Sequence, residues 1–334
     1  MFDSIFPGDF MRIAIDKNSL KEYKKDNNEY IYLFDNELLN ELPDIHCINY
    51  RYCDFVNKNL TSYDVYCTDK NKVNYKIGII VPNYNYEHTI EKCLKSILNQ
   101  TYQNFEIIVV DDMSTDNSVN IVNQLNSTKI KLIQLKQKRY NGGARNEAYL
   151  HLSDDVDYVY YVDSDDWLID ENVLEKINQN LKGYPDVLFV GLAHYKNGIT
   201  EPCYIPQYKD KYEAIQGWSG SCGKVIKKSL ATAQKCLYNE GTLKEDKNQH
   251  CKICIYMNTF KLLKEPVYVW NRENLKSTTT IRDIKWKTST IRHYADTLEL
   301  SMLVKGMDSK IDTILNERVK KTKQEIDIGC DRQW

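Results

Sequence analysis

Long apolar runs are missing from this chain of 334 residues. A helix needs roughly 18–20 apolar residues to cross a bilayer, and the longest runs here, such as Ile79 to Val81, are strand-sized. We therefore expect no membrane-spanning helix in this sequence. Charge of one sign is missing too, since the formal net charge is −2. That balance argues against a nucleic-acid partner bound by phosphate neutralisation, unless a basic patch hides inside the neutral total. The segment Met1 to Arg12 lacks a basic stretch followed by an apolar one and a small-residue cleavage site, so we read no secretory signal there. The expectation is a cytoplasmic chain, with contact at the inner face of the membrane left open.

Signatures of the common nucleotide-binding loops are also lacking. The segment Asn141-Gly142-Gly143-Ala144-Arg145-Asn146 fits neither G-x-G-x-x-G nor G-x-x-x-x-G-K-[ST], so neither a dinucleotide fold nor a Walker NTPase is supported. Ten cysteines are present, but without an export signal they do not suggest a disulfide framework. His250, Cys251 and Cys254 form H-C-x-x-C with no second pair to complete a zinc site, and we expect them to pack on one helix face.

What is present describes an ordinary globular chain. Hydrophobic residues make up 42% and charged residues 28%. Residues 1–74 carry strand-like segments at Arg12–Ile15 and Tyr30–Phe34 and a helix turn near Asn36–Leu42, with no motif that carries chemistry. From Lys76 a regular alternation begins. Ile77–Val81, Phe105–Val110, Ile130–Leu135, Tyr158–Val162 and Val187–Leu192 read as buried strands. Between them lie an amphipathic helix on Ile90, Cys93, Leu94, Ile97 and Leu98, a second capped by Asp116, a third over Asn146–Leu152, and a fourth capped by Asp170. Strands alternating with helices imply βαβ units and a mostly parallel sheet flanked by helices. Residues 196–220 read as a loop and Val267–Trp270 as a late strand. Trp286–Val319 reads as helical with Leu298, Met302 and Leu303 on one face, and Lys320–Trp334 as a charged, frayed end. The expected division is an accessory region at 1–74, a catalytic domain at 75–282 and a helical segment at 283–334.

In an open α/β sheet, ligands bind beyond the carboxyl ends of the strands, and two acidic clusters fall there. Asp163-Ser164-Asp165-Asp166 places three carboxylates within four residues, which repel unless a hard cation such as Mg²⁺ or Mn²⁺ holds them. The competing reading is a solvated turn that caps the next helix. Asp111-Asp112 suits hydrogen bonds to a base and ribose, or equally a helix cap. Tyr84, after Pro82, offers a face on which a base could stack. Arg145, at a glycine-bearing turn into a helix, suits a phosphate. Glu245-Asp246 is a common surface pair whose interest comes from the need for a base.

Together these segments resemble family 2 glycosyltransferases of the GT-A fold. The residues that carry the resemblance are Ile79–Asn85, Cys93–Tyr102, Phe105–Asp116, Asn141–Ala148 and Val162–Trp167, and more weakly Cys222–Ile226 and Glu240–Asp246. The resemblance implies an inverting, hexosyltransferase-type enzyme that moves a sugar from a nucleotide-diphosphate donor, UDP in particular, to a hydroxyl. Pro82, Tyr84, Asp111, Asp112, Arg145, Asp163 and Ser164 would contact the donor. Asp163, Asp165 and Asp166 would hold Mn²⁺ or Mg²⁺, and Asp246 would be the base. The acceptor is left open among glycan, lipid-linked glycan, protein and other hydroxyl polymers, as is a homo-oligomer. The alternative is an inactive relative that binds glycans or partners. A nucleotidyltransferase is disfavoured, because Asn83–Tyr86 lacks the glycines and lysines of a phosphate loop.

Overall fold

The apolar run from Ile77 forms a strand that is buried along its whole length, Ile77–Asn83. In this computed structural model the described residues are 74–242, 244–274 and 284–331, together with four strands nearer the N-terminus. The chain divides into two compact units, Met1–Lys72 and Val73–Trp334. The first unit holds β1 (Arg12–Ala14), β2 (Ile31–Leu33), β3 (Cys47–Asp54) and β4 (Asn59–Tyr66), joined in that order into one sheet. The helix turn expected at Asn36–Leu42 lies outside the described residues.

The second unit is an α/β fold. Its strands are β5 (Ile77–Asn83), β6 (Phe105–Asp111), β7 (Ile130–Gln134), β8 (Tyr158–Tyr161), β9 (Trp167–Leu168), β10 (Val187–Lys196), β11 (Ile199–Tyr204), β12 (Lys224–Lys227) and β13 (Phe260–Asn271). They make a nine-stranded sheet in the order β7-β6-β5-β8-β12-β10-β13-β9, with β11 paired to β10. The four strands β7, β6, β5 and β8 run parallel. β12 runs antiparallel to both β8 and β10 and so divides this parallel half from the rest.

Helices cover both faces, and the alternation along β5 shows how. Ile77, Ile79 and Val81 point into one core with α1 (Ile90–Leu98), α2 (Ser118–Gln124) and α4 (Val173–Asn180). Ile80 points into the other with α3 (Tyr140–Tyr149) and α7 (Glu245–Tyr256). α5 (Lys211–Gln216) and α6 (Lys228–Ala231) are short connectors, and α8 (Ile284–Leu303) and α9 (Ser309–Asp331) close that second core through Leu300, Val304, Ile311 and Leu315. Among the described residues no helix is long and apolar enough to cross a membrane.

Four sequence expectations need correction. The helix expected at Asn146 begins at Tyr140, so Gly142 and Gly143 lie inside it. They are there for close approach: a Cβ on Gly142 would sit 2.8 Å from the Asn239 carbonyl oxygen. Residues 196–220 are not one loop. Asn197 and Gly198 both take positive φ, 53° and 78°, and turn β10 into antiparallel β11, the chemistry of a two-residue hairpin. The long C-terminal helix breaks at Gly306, φ 82°, where the Asp308 side chain accepts from the amides of Lys310 and Ile311. α9 then runs to Asp331 rather than fraying from Lys320. The buried face of α8 is largely polar, with Ser289, Thr290, His293, Asp296 and Thr297, then Leu300, while Leu298, Met302 and Leu303 are exposed.

Candidate active site

A cavity of about 460 Å³ opens where the parallel strands end. Pro82 reaches it from the end of β5, and Asp163 to Asp166 from the turn after β8. Arg145 enters from α3 and Asp246 from the first turn of α7. Trp218, Ser221 and Trp270 complete the opposite wall. Asp163, Ser164, Asp165, Asp246, Pro82 and Arg145, far apart in the chain, thus share one space.

Arg145 draws these residues together. It is 1% exposed, and its guanidinium donates to Asp163 Oδ1 at 2.8 Å, Glu245 Oε1 at 2.9 Å and Asp246 Oδ1 at 3.1 Å. Burial works against its charge, but Asp246 and Asp163 more than offset that and keep it firmly protonated. The sequence suggested a phosphate for this arginine; the fold gives it three carboxylates, so it positions the acids on both sides of the cavity. Glu245 is buried beneath Asp246, and its pKa is pushed up to about 8 by burial and then by the charge of Asp246. Ser221 Oγ donates to Asp246 Oδ1 at 2.5 Å. Among the described residues no group hydrogen-bonds Asp246 Oδ2, and the side chain is 34% exposed. One oxygen is therefore anchored and the other faces the cavity.

The acidic turn divides by role. Asp165 is pushed up to about 6 by burial and then by Asp163, against the opposing hydrogen bond of 2.7 Å from Asn274 Nδ2. Asp166 differs from both. Its Oδ1 accepts from the Asn271 amide at 2.8 Å and its Oδ2 from Tyr268 Oη at 2.5 Å, while the same Tyr268 hydroxyl accepts from the Asp163 amide. Asp166 holds the turn in place rather than offering a free oxygen. Ser164 Oγ donates to the Pro82 carbonyl at 2.7 Å, which ties this turn to the end of β5.

Among the described residues no three His, Cys, Asp or Glu side chains form a group able to hold a metal. Mg²⁺ and Mn²⁺ need less than that from the protein, because one or two carboxylates suffice when substrate phosphates and waters supply the rest. The donor set of Asp163 and Asp165 fits such an ion: hard oxygens, crowded enough to repel, at the edge of a cavity.

The other expected donor residues lie apart from this space. Tyr84, Asp111 and Asp112 do not line it. Asp111 accepts from Asn83 Nδ2 at 2.7 Å and from the Ser114 amide at 2.9 Å. Asp112 accepts from the amides of Arg139 and Tyr140 at 2.7 and 2.8 Å, and Lys138 Nζ lies 3.1 Å away. That lysine covers the face of Tyr84, 2.7 Å from its ring centroid. His250 is fully buried with Nε2 2.8 Å from the Ala214 carbonyl oxygen, and it does not line the cavity. Cys251 and Cys254 are buried beside it as free thiols. Sequence reasoning gave no role to Tyr86, Glu245 or Ser221 at this site, although it singled out the Glu245-Asp246 pair. Tyr86 lines the cavity, and burial followed by Asp165 and Asp163 raises its phenol. Only proximity to Tyr84 and Asp246 in the chain signalled the first two, and nothing signalled Ser221.

A mixed sheet whose parallel half ends at a carboxylate-lined cavity is the frame of a GT-A type fold. The chain belongs to glycosyl transferase family 2, whose profile matches residues 78–257. It is 29% identical over 222 residues to Glycosyltransferase GlyA of Streptococcus pneumoniae, covering 59% of this chain and 31% of that protein. It is 38% identical over 141 residues to the Escherichia coli UDP-Glc:alpha-D-GlcNAc-diphosphoundecaprenol beta-1,3-glucosyltransferase WfgD, covering 42% of this chain and 55% of that one. The chain thus spans between about a third and about half of these curated relatives. In fold it is similar to Staphylococcus aureus TarS 1–349, solved in complex with UDP-GlcNAc. There the TM-score is 0.60 and the identity 22%, with 72% of this chain and 71% of that chain covered.

Proposed function

We propose that the chain is an inverting glycosyltransferase that moves a sugar from a nucleotide-diphosphate donor, a UDP-sugar, to a hydroxyl on a glycan or glycan-like polymer. The observation that carries this reading is the bridge through Arg145. One guanidinium contacts Asp163 at 2.8 Å and Asp246 at 3.1 Å, so a metal-side acid and a base-side acid face each other across one cavity. Family membership and a relative named for UDP-glucose support the donor class.

Each residue has a definable task. Asp163 and Asp165 would hold Mn²⁺ or Mg²⁺ against the donor's diphosphate. When bound, the ion supplies Lewis-acid stabilisation of the charge on the departing nucleoside diphosphate. Asp246 takes the proton from the acceptor hydroxyl through Oδ2, while Ser221 and Arg145 fix Oδ1 and thereby the direction of attack. Asp166, Tyr268 and Ser164 hold the acidic turn. Pro82, Tyr84, Asp111 and Asp112 shape the nucleotide side, the last two by organising the backbone after β6. In this reading residues 75–282 form the catalytic domain, with 1–74 accessory and 283–334 a helical segment beside it.

The test is the product's stereochemistry. The protein is incubated with a panel of UDP- and GDP-sugars, an acceptor glycoside and Mn²⁺, and the new anomeric proton is read by NMR. Transfer from one donor with inversion is expected. A retained anomer would require a covalent or front-face route that a single base at Asp246 does not supply, and would overturn the reading.

A further inference from the structure

A second cavity, of about 380 Å³, adjoins the first, with Gly217, Ser219 and Lys247 lining both. Its remaining wall is built by α8 and α9, which contribute His293, Glu317, Arg318 and Lys321. This wall lies beyond residues 78–257, the part matched to the family. Lys247 directly follows Asp246 on α7, so the cavity begins on the base side of the active site. A molecule that presents a hydroxyl to Asp246 has its remainder next to this space.

The charge lining the space is informative. Lys247, Arg318 and Lys321 face it together with Glu317 and Glu325, and Glu325 is already drawn to Lys244 at 3.5 Å. Among the described residues neither Lys247 nor Lys321 lies within ion-pair distance of a carboxylate. Arg318 is fixed in place by donating to the Ile215 carbonyl at 2.9 Å. Buried His293 is held down to about 3, first by burial and then by Lys247, Lys244 and Arg318, which is the response of a titrating group to a positive surrounding. An uncharged glycan needs no such lining. Cations left without partners beside a cavity suit an anion with several strong acceptors, which is phosphate.

We propose that this second cavity holds the phosphate of a phosphate-bearing acceptor whose hydroxyl reaches Asp246. The inference rests on the reading of Asp246 as the acceptor-side base. It assigns Lys247, Arg318 and Lys321 to acceptor binding and the C-terminal helices to acceptor choice. Two kinds of molecule share that chemistry, a sugar diphosphate on a lipid and a polyol-phosphate chain.

The experiment is equilibrium binding to the full chain by titration calorimetry. The probes are a short-chain sugar-diphosphate lipid, a glycerol-phosphate oligomer, the methyl glycoside of the same sugar, and UDP as a control. At least one phosphate probe is expected to bind tenfold or more tighter than the methyl glycoside, and which one binds names the source. In Lys321→Gln combined with Lys247→Gln that preference is expected to fall at least tenfold; because Lys247 also lines the first cavity, UDP binding is the control in Lys321→Gln alone, where it is expected to be unchanged. Lys321 is exposed, so Lys321→Gln alone, expected to show a smaller loss in the same direction, covers the case in which the double variant fails to fold. Equal binding of charged and uncharged probes, or variants that bind phosphate probes as the parent does, would overturn the proposal. Failure of the enzymatic reading shows separately, as phosphate-probe binding without UDP binding or sugar transfer.

Discussion

Two adjacent acids at the start of α7 have opposite characters, and the difference is testable residue by residue. Asp246 presents a free oxygen to the cavity, whereas Glu245 is buried at 4% exposure and accepts from Arg145. Asp246→Asn removes the proposed base while keeping shape and the Arg145 contact, so kcat should fall by roughly 10²–10⁴-fold with donor affinity retained. Steady-state kinetics with a titrated donor reads this, and an unaltered kcat would rule Asp246 out as base. Glu245 should instead tolerate Gln, because the native state already favours its protonated form. Its folded pKa, about 8, lies above its ordinary 4.5, so the native state binds the extra proton across that window. The stability this gives is fully present below 4.5 and is lost as pH rises through 8. Glu245→Gln should therefore flatten the decline of stability between those pH values, measured by urea unfolding. At this scale the sequence showed the acids but not their partners. The motif around Asp163 and Asp165 was legible because like charges within four residues need a reason. Arg145 was not, because its three carboxylates are distant in the chain and only folding reveals that it serves them.

At the scale of elements, the strands were the legible part. β5, β6 and β8 are continuous apolar runs that end in Pro or Asp, and a strand buried on both faces has to look so. Helices that pack by something other than an apolar stripe were misread. α3 packs through glycines, with Gly142 against the Asn239 carbonyl and Arg139 clamped to Glu240 through two bonds of 2.6 and 3.0 Å. Gly142→Ala should therefore destabilise despite alanine's better helix propensity. Overpacking of this kind costs about 1–3 kcal/mol, read as a lowered urea midpoint with an unchanged slope. A midpoint that rises would show that the segment yields freely. α8 buries His293, Asp296 and Thr297 while Met302 and Leu303 stay exposed, so its hydrophobic residues do not mark its buried face. Asn197-Gly198 carried a plain hairpin signal that the surrounding polar residues obscured.

Over the whole molecule, in the proposed reading, the sheet brings a donor side and an acceptor side to one cavity. On the donor side, which comes from the parallel half, the acidic turn was readable because strand ends in such sheets are where ligands sit, whereas Tyr84, Asp111 and Asp112 fall outside the cavity. The acceptor side is assembled from the 217–222 turn, α7 and the C-terminal helices. Lys224, fully buried, braces that turn by donating to the Ser219 and Gly220 carbonyls at 3.2 and 2.7 Å. No local pattern announces such an assembly, which explains why acceptor chemistry was hardly legible in the sequence. The central claim joins the two sides: Asp163 and Asp165 use a divalent ion to release the nucleoside diphosphate. It is tested most directly by the release of nucleoside diphosphate from the preferred nucleotide sugar, with Mn²⁺ and with chelator, in the parent protein and in Asp165→Ala. The account predicts turnover with Mn²⁺, little with chelator, and loss of the Mn²⁺-dependent rate by at least about a hundredfold in the variant, the scale of losing one strong electrostatic contact to the transition state. Turnover that ignores both the chelator and the loss of Asp165 would contradict it.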